Sequence, residues 1–213
     1  MGSPESEPDR FSWEKQHEVK LTRGFWMLET EVTQALWESV TGENPMIIDD
    51  WTGPKKPVGN VSWEDCQEFI AKLNSLGIVP AGLKFRLPTE AEWEYACRAG
   101  TSGPYAGSSL DSLGWYKDNS GGDNHDVGQK RANAWGLYDM HGNVWEWCSD
   151  WFDSDTYDAP SQTDPTGPSS GSDRVLRGGS WGSSAEYCRS AYRDYSDPTY
   201  RYSLNGFRLV LGR

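Results

Sequence analysis

The sequence predicts one α+β domain rich in loops, and three observations carry that reading. Helical periodicity is confined to roughly the first hundred residues. Apolar pieces of strand length come later, each bounded by turn residues. Long stretches of Gly, Ser, Asn and Asp separate them. The chain has 213 residues, and its 12 Trp, 10 Tyr and 6 Phe supply a core. That aromatic load excludes a solvated coil. Lys+Arg number 20 against 32 Asp+Glu, a net charge of −12. Nucleic acids and anionic membranes select basic surfaces, so neither is an expected partner. No apolar run approaches the ~18 residues that a spanning helix needs.

The elements follow in order. Met1-Gly2-Ser3 reads as a remnant of expression and Pro4 to Pro8 as a tether, which places 1–20 outside the domain and the domain at 21–213. A leader or lipid anchor is expected to lie outside this chain, and the cell surface is the expected location. Thr33 can cap a helix over Gln34 to Thr41, stopped by Gly42. Ser62 caps a second helix, in which Cys66, Phe69, Ile70 and Leu73 fall on one face. Thr89-Glu90-Ala91-Glu92 is a capping box for a third, with Trp93, Ala96 and Cys97 inward and Gly100 at its end. Residues 101–133 read as irregular loop. Val144–Trp147, Val175–Leu176 and Phe207–Leu211 read as short strands of a small antiparallel sheet. Residues 150–173 read as loop and carry Asp150, Asp153, Asp155, Asp158 and Asp164. Loops this long usually serve function.

Cys66, Cys97, Cys148 and Cys188 are too few for a disulfide scaffold and lack zinc spacing. His17, His125 and His141 are scattered and read as surface or turn residues, so no catalytic triad stands out. Gly178-Gly179 opens no helix and is no phosphate loop. The most informative stretch is 182–204. It holds Tyr187, Tyr192, Tyr195, Tyr200 and Tyr202, half of the chain's tyrosines, with five serines. Neither the strand nor the helix period organises them. Tyrosine among small polar residues is the composition of a binding surface, because it offers rigid amphipathic area at low entropic cost. The plainer alternative is a loop whose tyrosines pack on the body.

Several blocks together resemble a known family. They are Glu31-Val32-Thr33-Gln34, Pro57 to Trp63, Phe85 to Tyr95, Asn133 to Trp147, Arg177-Gly178-Gly179-Ser180-Trp181 and Gly206-Phe207-Arg208. They resemble the formylglycine-generating enzyme (sulfatase-modifying factor) family, in order, over about 24 to 211. The resemblance implies a loop-rich variant of the C-type-lectin fold. Its enzymes oxidise a cysteine of a sulfatase peptide with a copper-binding cysteine pair. Here the first of those positions falls on Ser183 and the second on Cys188. A hydroxyl neither ligates soft copper(I) nor forms a redox disulfide, so no copper and no catalysis are expected. The family's disulfide partners of Cys66 and Cys97 fall on Arg193 and Leu209, which leaves those two as free core thiols. A Cys148–Cys188 bridge stays open. The resemblance also implies a structural calcium site of hard oxygen ligands at Asp139, Gly142 (carbonyl), Val144 (carbonyl) and Glu146, against a plain capped turn. A second family calcium loop differs here, around Asp118 to Asp126, and is not carried over.

Some proteins of this fold are similar to targets of diversity-generating retroelements, which randomise the adenines of asparagine codons. Such a codon cannot become Lys, Gln, Glu, Met or Trp. Those five types are 44 of the 213 residues, yet 182–204 contains only Glu186. The chain most resembles the hypervariable proteins of spirochaete retroelements, with a variable region over about 174–211. The resemblance implies a receptor-like ligand-binding protein without catalysis. Its expected contact residues are Gly182, Ser183, Ser184, Tyr187, Tyr192, Asp194, Tyr195, Ser196, Asp197, Thr199, Tyr200, Tyr202, Ser203 and Leu204, all facing solvent. Cys188-Arg189-Ser190-Ala191, Arg193 and Arg201 would anchor the segment. The expected partner is a macromolecule, protein or glycan, on another cell, and a monomer is expected. Two rivals are a formylglycine-generating-type oxidoreductase using Cys188 alone and a calcium-dependent lectin. The latter lacks a Glu-Pro-Asn or Gln-Pro-Asp sugar motif.

Overall fold

The computed structural model describes residues 1–46 and 48–213. Three capped helices carry the first half. The Thr33 hydroxyl accepts from Leu36 N at the head of α1 (Gln34–Thr41), and Gly42 closes it in the left-handed region. Ser62 and Asp65 cap each other's backbone at the head of α2 (Trp63–Ser75), whose buried face is Cys66, Phe69, Ile70 and Leu73. Thr89 and Glu92 form the same box on α3 (Glu90–Arg98). The third helix ends on Ala99 at φ +44, one residue before Gly100.

Among the described residues, nine short strands make three sheets. β1 (Glu18–Lys20) pairs in parallel with β5 (Ser161–Thr163). β2 (Trp26–Met27) and β3 (Lys84–Arg86) flank β9 (Val210–Gly212), both antiparallel. The largest sheet runs β7 (Asp194–Ser196), β6 (Arg174–Arg177), β4 (Trp145–Trp151) and β8 (Asn205–Gly206). Its β7–β6–β4 pairs are antiparallel and β8 runs parallel to β4. The largest sheet is thus mixed, the β2–β9–β3 sheet is antiparallel throughout, and the β1–β5 pair is parallel. β5 sits inside the expected loop 150–173; its Ser-Gln-Thr stretch has no apolar alternation to betray a strand.

The N-terminal segment corrects an expectation. Residues 1–20 are no tether, because their polar groups are spent inside the fold. Gly2 N donates to Glu94 Oε1 at 2.8 Å, and the Arg98 guanidinium donates to Gly2 O at 2.9 Å. A Cβ on Gly2 would stand 2.3 Å from Lys15 O, so only glycine fits there. Ser3, Glu7, Glu14 and His17 are buried. The domain therefore includes this segment.

The main core joins α1, α2 and the large sheet. Trp37 stacks on Phe69 at 5.0 Å, and Phe207 meets both edge-on. A second cluster gathers Trp93, Cys97, Met140, Cys148 and Val175 beneath α3. Four arginines lie fully inside: Arg177, Arg189, Arg193 and Arg208. Each meets carboxylates: Arg177 with Glu94, Arg193 with Glu90, Arg189 with Glu7 and Glu14, and Arg208 with Glu146. Those pairs let α3 bury Glu90 and Glu94, and Arg86 does the same for Glu92 with two bonds of 2.6 Å. Among the described residues no helix is long and apolar enough to cross a membrane.

Candidate binding face

The stretch after β6 begins with a tight turn. Gly179 has φ +77, and a Cβ there would stand 2.5 Å from Cys188 Sγ. Trp181 N bonds to Asn143 O at 2.8 Å, which ties the turn to the body. A short 3-10 turn, Ala185–Cys188, then feeds a buried run. Cys188, Arg189, Ser190, Ala191 and Arg193 are all buried. Arg177 donates to Tyr192 O and, at 3.0 Å, to Ser190 O. Arg193 grips Glu90 through two bonds of 2.6 and 2.9 Å. The chain then surfaces. Tyr195 is 49% exposed, Tyr200 53% and Tyr202 45%.

The fourteen expected contact residues divide by depth. Gly182, Tyr195, Asp197, Thr199, Tyr200 and Tyr202 are exposed. Ser184, Tyr187, Asp194, Ser196, Ser203 and Leu204 are half-buried. Ser183 and Tyr192 are buried, which corrects the expectation that all fourteen face solvent. Ser183 is held inward because its hydroxyl accepts from Ser180 N at 3.0 Å and pairs with Ser180 Oγ at 2.9 Å. Tyr192 turns inward because Phe11, Trp145 and Tyr187 form a ring slot around it. Tyr187 and Leu204 also rest on the main core. Arg201 stays on the surface, and its two bonds of 2.6 Å to Asp65 pin the loop to the head of α2.

The two positions that the family resemblance assigns to a cysteine pair, Ser183 and Cys188, are both buried. The Cys188 thiol is buried, and burial pushes its pKa up, away from the thiolate. All four cysteines are free, so no Cys148–Cys188 bridge forms. With a Ser180-bound hydroxyl at 183, the donors do not fit copper(I). His141 lies in a turn, as expected, but is buried there and not at the surface. Its Nδ1 meets Cys188 O at 2.8 Å, and burial lowers its pKa to about 4. His17 is buried as well.

The implied calcium ligands run from the loop before β4 (Asp139, Gly142, Val144) onto β4 itself (Glu146). Glu146, however, arrives already neutralised: Arg208 reaches both carboxylate oxygens at 2.6 and 2.7 Å, and Trp93 Nε1 donates at 2.7 Å. A cation beside Glu146 would face that guanidinium. Asp139 accepts from Gly128 N at 2.7 Å and keeps Oδ1 buried without a partner, as Glu31 does both its oxygens. Burial raises the Glu31 pKa well above the usual range and that of Asp139 to about 6. Among the described residues, no group of three or more His, Cys, Asp or Glu is placed to hold a metal ion. The four-residue set as it stands does not fit calcium.

The profile described as "Sulfatase-modifying factor enzyme 1-like domain" matches residues 1–212. The chain belongs to this family. A family member from Streptomyces coelicolor, a formylglycine-generating enzyme, is 42% identical over 180 residues, covering 75% of this chain and 54% of its own. The formylglycine-generating enzyme of Thermomonospora curvata is 30% identical over 235 residues, covering 95% of this chain and 73% of its own. The chain thus spans about half the length of the first relative and about three quarters of the second. The solved structure of Treponema denticola variable protein 1 is 36% identical, has a TM-score of 0.85, and covers 95% of this chain and 89% of that one. The family fold therefore serves proteins bearing both kinds of name. The sequence marks the head of α2 only as a capped helix start, and Glu64 and Glu68 carry no site signal there. Their neighbourhood with the tyrosines appears only in three dimensions.

Proposed function

We propose that this chain is a ligand-binding, receptor-like protein whose contact surface is varied by a retroelement, and that it performs no catalysis. One observation carries the reading most: the segment alternates between a buried, ion-paired run at 188–193 and exposed Tyr195, Asp197, Thr199, Tyr200 and Tyr202. A frame so held can exchange its outward residues at little cost, since surface substitutions are usually within about ±0.5 kcal/mol. Every exposed side chain named there is reachable from an asparagine codon by adenine changes. The partner is a macromolecule, protein or glycan, presented on another cell, and the protein acts at the cell surface as a monomer. The likeness to a variable protein supports the reading.

The test is to sequence codons 174–213 from many single cells of one lineage together with the flanking locus. Differences confined to codons that are AAC or AAT in a nearby near-copy are expected. An identical segment in every cell, with no such copy, sinks the reading. The kinship with formylglycine-generating enzymes keeps a second reading alive, an oxidoreductase acting on a cysteine peptide. Incubation with a cysteine-containing sulfatase peptide, copper and oxygen is expected to yield no aldehyde. Turnover dependent on Cys188 would favour the enzyme instead.

A further inference from the structure

Among the described residues, the 194–204 segment that carries the exposed tyrosines has no unpaired cation of its own. Pro198 O accepts from Glu64 N at 3.2 Å, which lays the 197–202 loop across the first turn of α2. Glu64 and Glu68 are exposed on that turn and the next. Asp197 is exposed and turned toward its own loop, accepting from Thr199 N at 2.8 Å. Tyr200 and Tyr202 stack at 6.1 Å with 29° between planes. Tyr195 stacks on Phe152 at 4.2 Å, beside exposed Asp153.

The arginines nearby are already engaged. Arg201 is tied to Asp65. Arg174 is clamped between Trp63 and Trp151, at 3.8 and 3.4 Å from the ring centres. Arg193 is buried against Glu90. After Lys130 the chain has no lysine. Lys117, whose N–H bonds to Ser183 O, marks the far border at the Gly182 end, and Lys72 lies one turn beyond Glu68 on α2. The clamped Arg174 shows what an aromatic, acidic setting on this same sheet accepts.

Resting on the binding reading above, we infer that this face takes a cationic ligand: a lysine- or arginine-rich segment of a partner protein. Its ammonium or guanidinium groups lie over the Tyr195, Tyr200 and Tyr202 rings, where the ring faces attract positive charge. Glu64, Glu68 and Asp197 supply the opposite charge at the rim. The overall charge of −12 steers such a segment in from a distance.

The test is fluorescence anisotropy with labelled octalysine, with octaglutamate as the opposing probe, at low and at high salt. Two triple variants probe the face: Tyr195→Ser/Tyr200→Ser/Tyr202→Ser and Glu64→Gln/Glu68→Gln/Asp197→Asn. A third, Glu29→Gln/Glu38→Gln/Glu43→Gln, removes equal charge elsewhere, and a thermal melt confirms that each is folded. The expected result is octalysine binding that weakens at least tenfold in either face variant and less than twofold in the control. Salt weakens it as well. Equal loss in the control means attraction by bulk charge and overturns the inference, as does no octalysine binding. Tyrosine-dependent binding of octaglutamate overturns the charge preference while leaving a binding face in place. Codon sequencing judges the retroelement reading separately, so the two cannot fail together unnoticed.

Discussion

A tyrosine's role on this protein is decided by what stands behind its ring. Tyr192 fills a slot between Phe11, Trp145 and Tyr187, whereas Tyr195, Tyr200 and Tyr202 leave about half of their surface to water. Tyr192→Ala should therefore lower stability by about 3 kcal/mol, as loss of a buried aromatic does. Serine at each exposed tyrosine should change it by no more than about 0.5 kcal/mol in urea melts. Asp150 carries a second prediction. Burial, with Glu90 beside it, pushes its carboxyl up to about 7, although Glu90 N and Ser149 Oγ both donate to it. The fold thus holds a proton that the unfolded chain, with an ordinary carboxyl near 3.8, has released. The associated stability is complete below about pH 4 and is lost as pH rises through 7. Asp150→Asn cannot titrate, so the wild-type Tm should fall relative to the variant's between pH 5 and 8. His141, held neutral by burial, acts in the opposite sense between about 6.5 and 4, so the comparison with the variant isolates Asp150.

At the scale of elements, short pieces are held by partners far along the chain. Arg189 meets Glu7 and Glu14 across 182 and 175 residues. The N-terminal segment is therefore a plug that neutralises a buried charge under the candidate face. Glu7→Gln with Glu14→Gln should cost about 3–5 kcal/mol, because it keeps the cover but leaves Arg189 buried without a counter-charge. Adding Arg189→Met should return part of that loss, and the double-mutant comparison by urea melts reads the coupling. The helices depend on nearer groups. Thr89→Ala should cost about 1 kcal/mol by opening the box at the head of α3. The three helices were legible because caps and apolar stripes are local signals. β1 and β5 were not, since polar two-sided strands have no pattern of their own until they pair.

At the scale of the molecule, a family frame is kept while serine stands at 183, where the family resemblance places the first of two cysteines. Ser183 turns inward to Ser180, and Cys188 is sealed as a thiol. Ser183→Cys alone should not create peptide-oxidising activity, because both positions lie under the surface rather than in an open site. The measurement is aldehyde formation on a cysteine peptide with copper and oxygen. The same sealing frees the outside of the segment to vary without touching the core, which is the property a diversified surface requires.

The sequence by itself determined the helix caps, the Trp-rich turns, the family and the departure at Ser183. These are written in contiguous blocks or in spacings shorter than a helix turn or two. Tertiary structure alone decided which tyrosines face water, that residues 1–20 belong to the fold, and that Glu146 serves Arg208 rather than an open carboxylate site. The reason is physical. Burial and ion pairing depend on which distant group arrives at a site, and most of those partners lie more than sixty residues away.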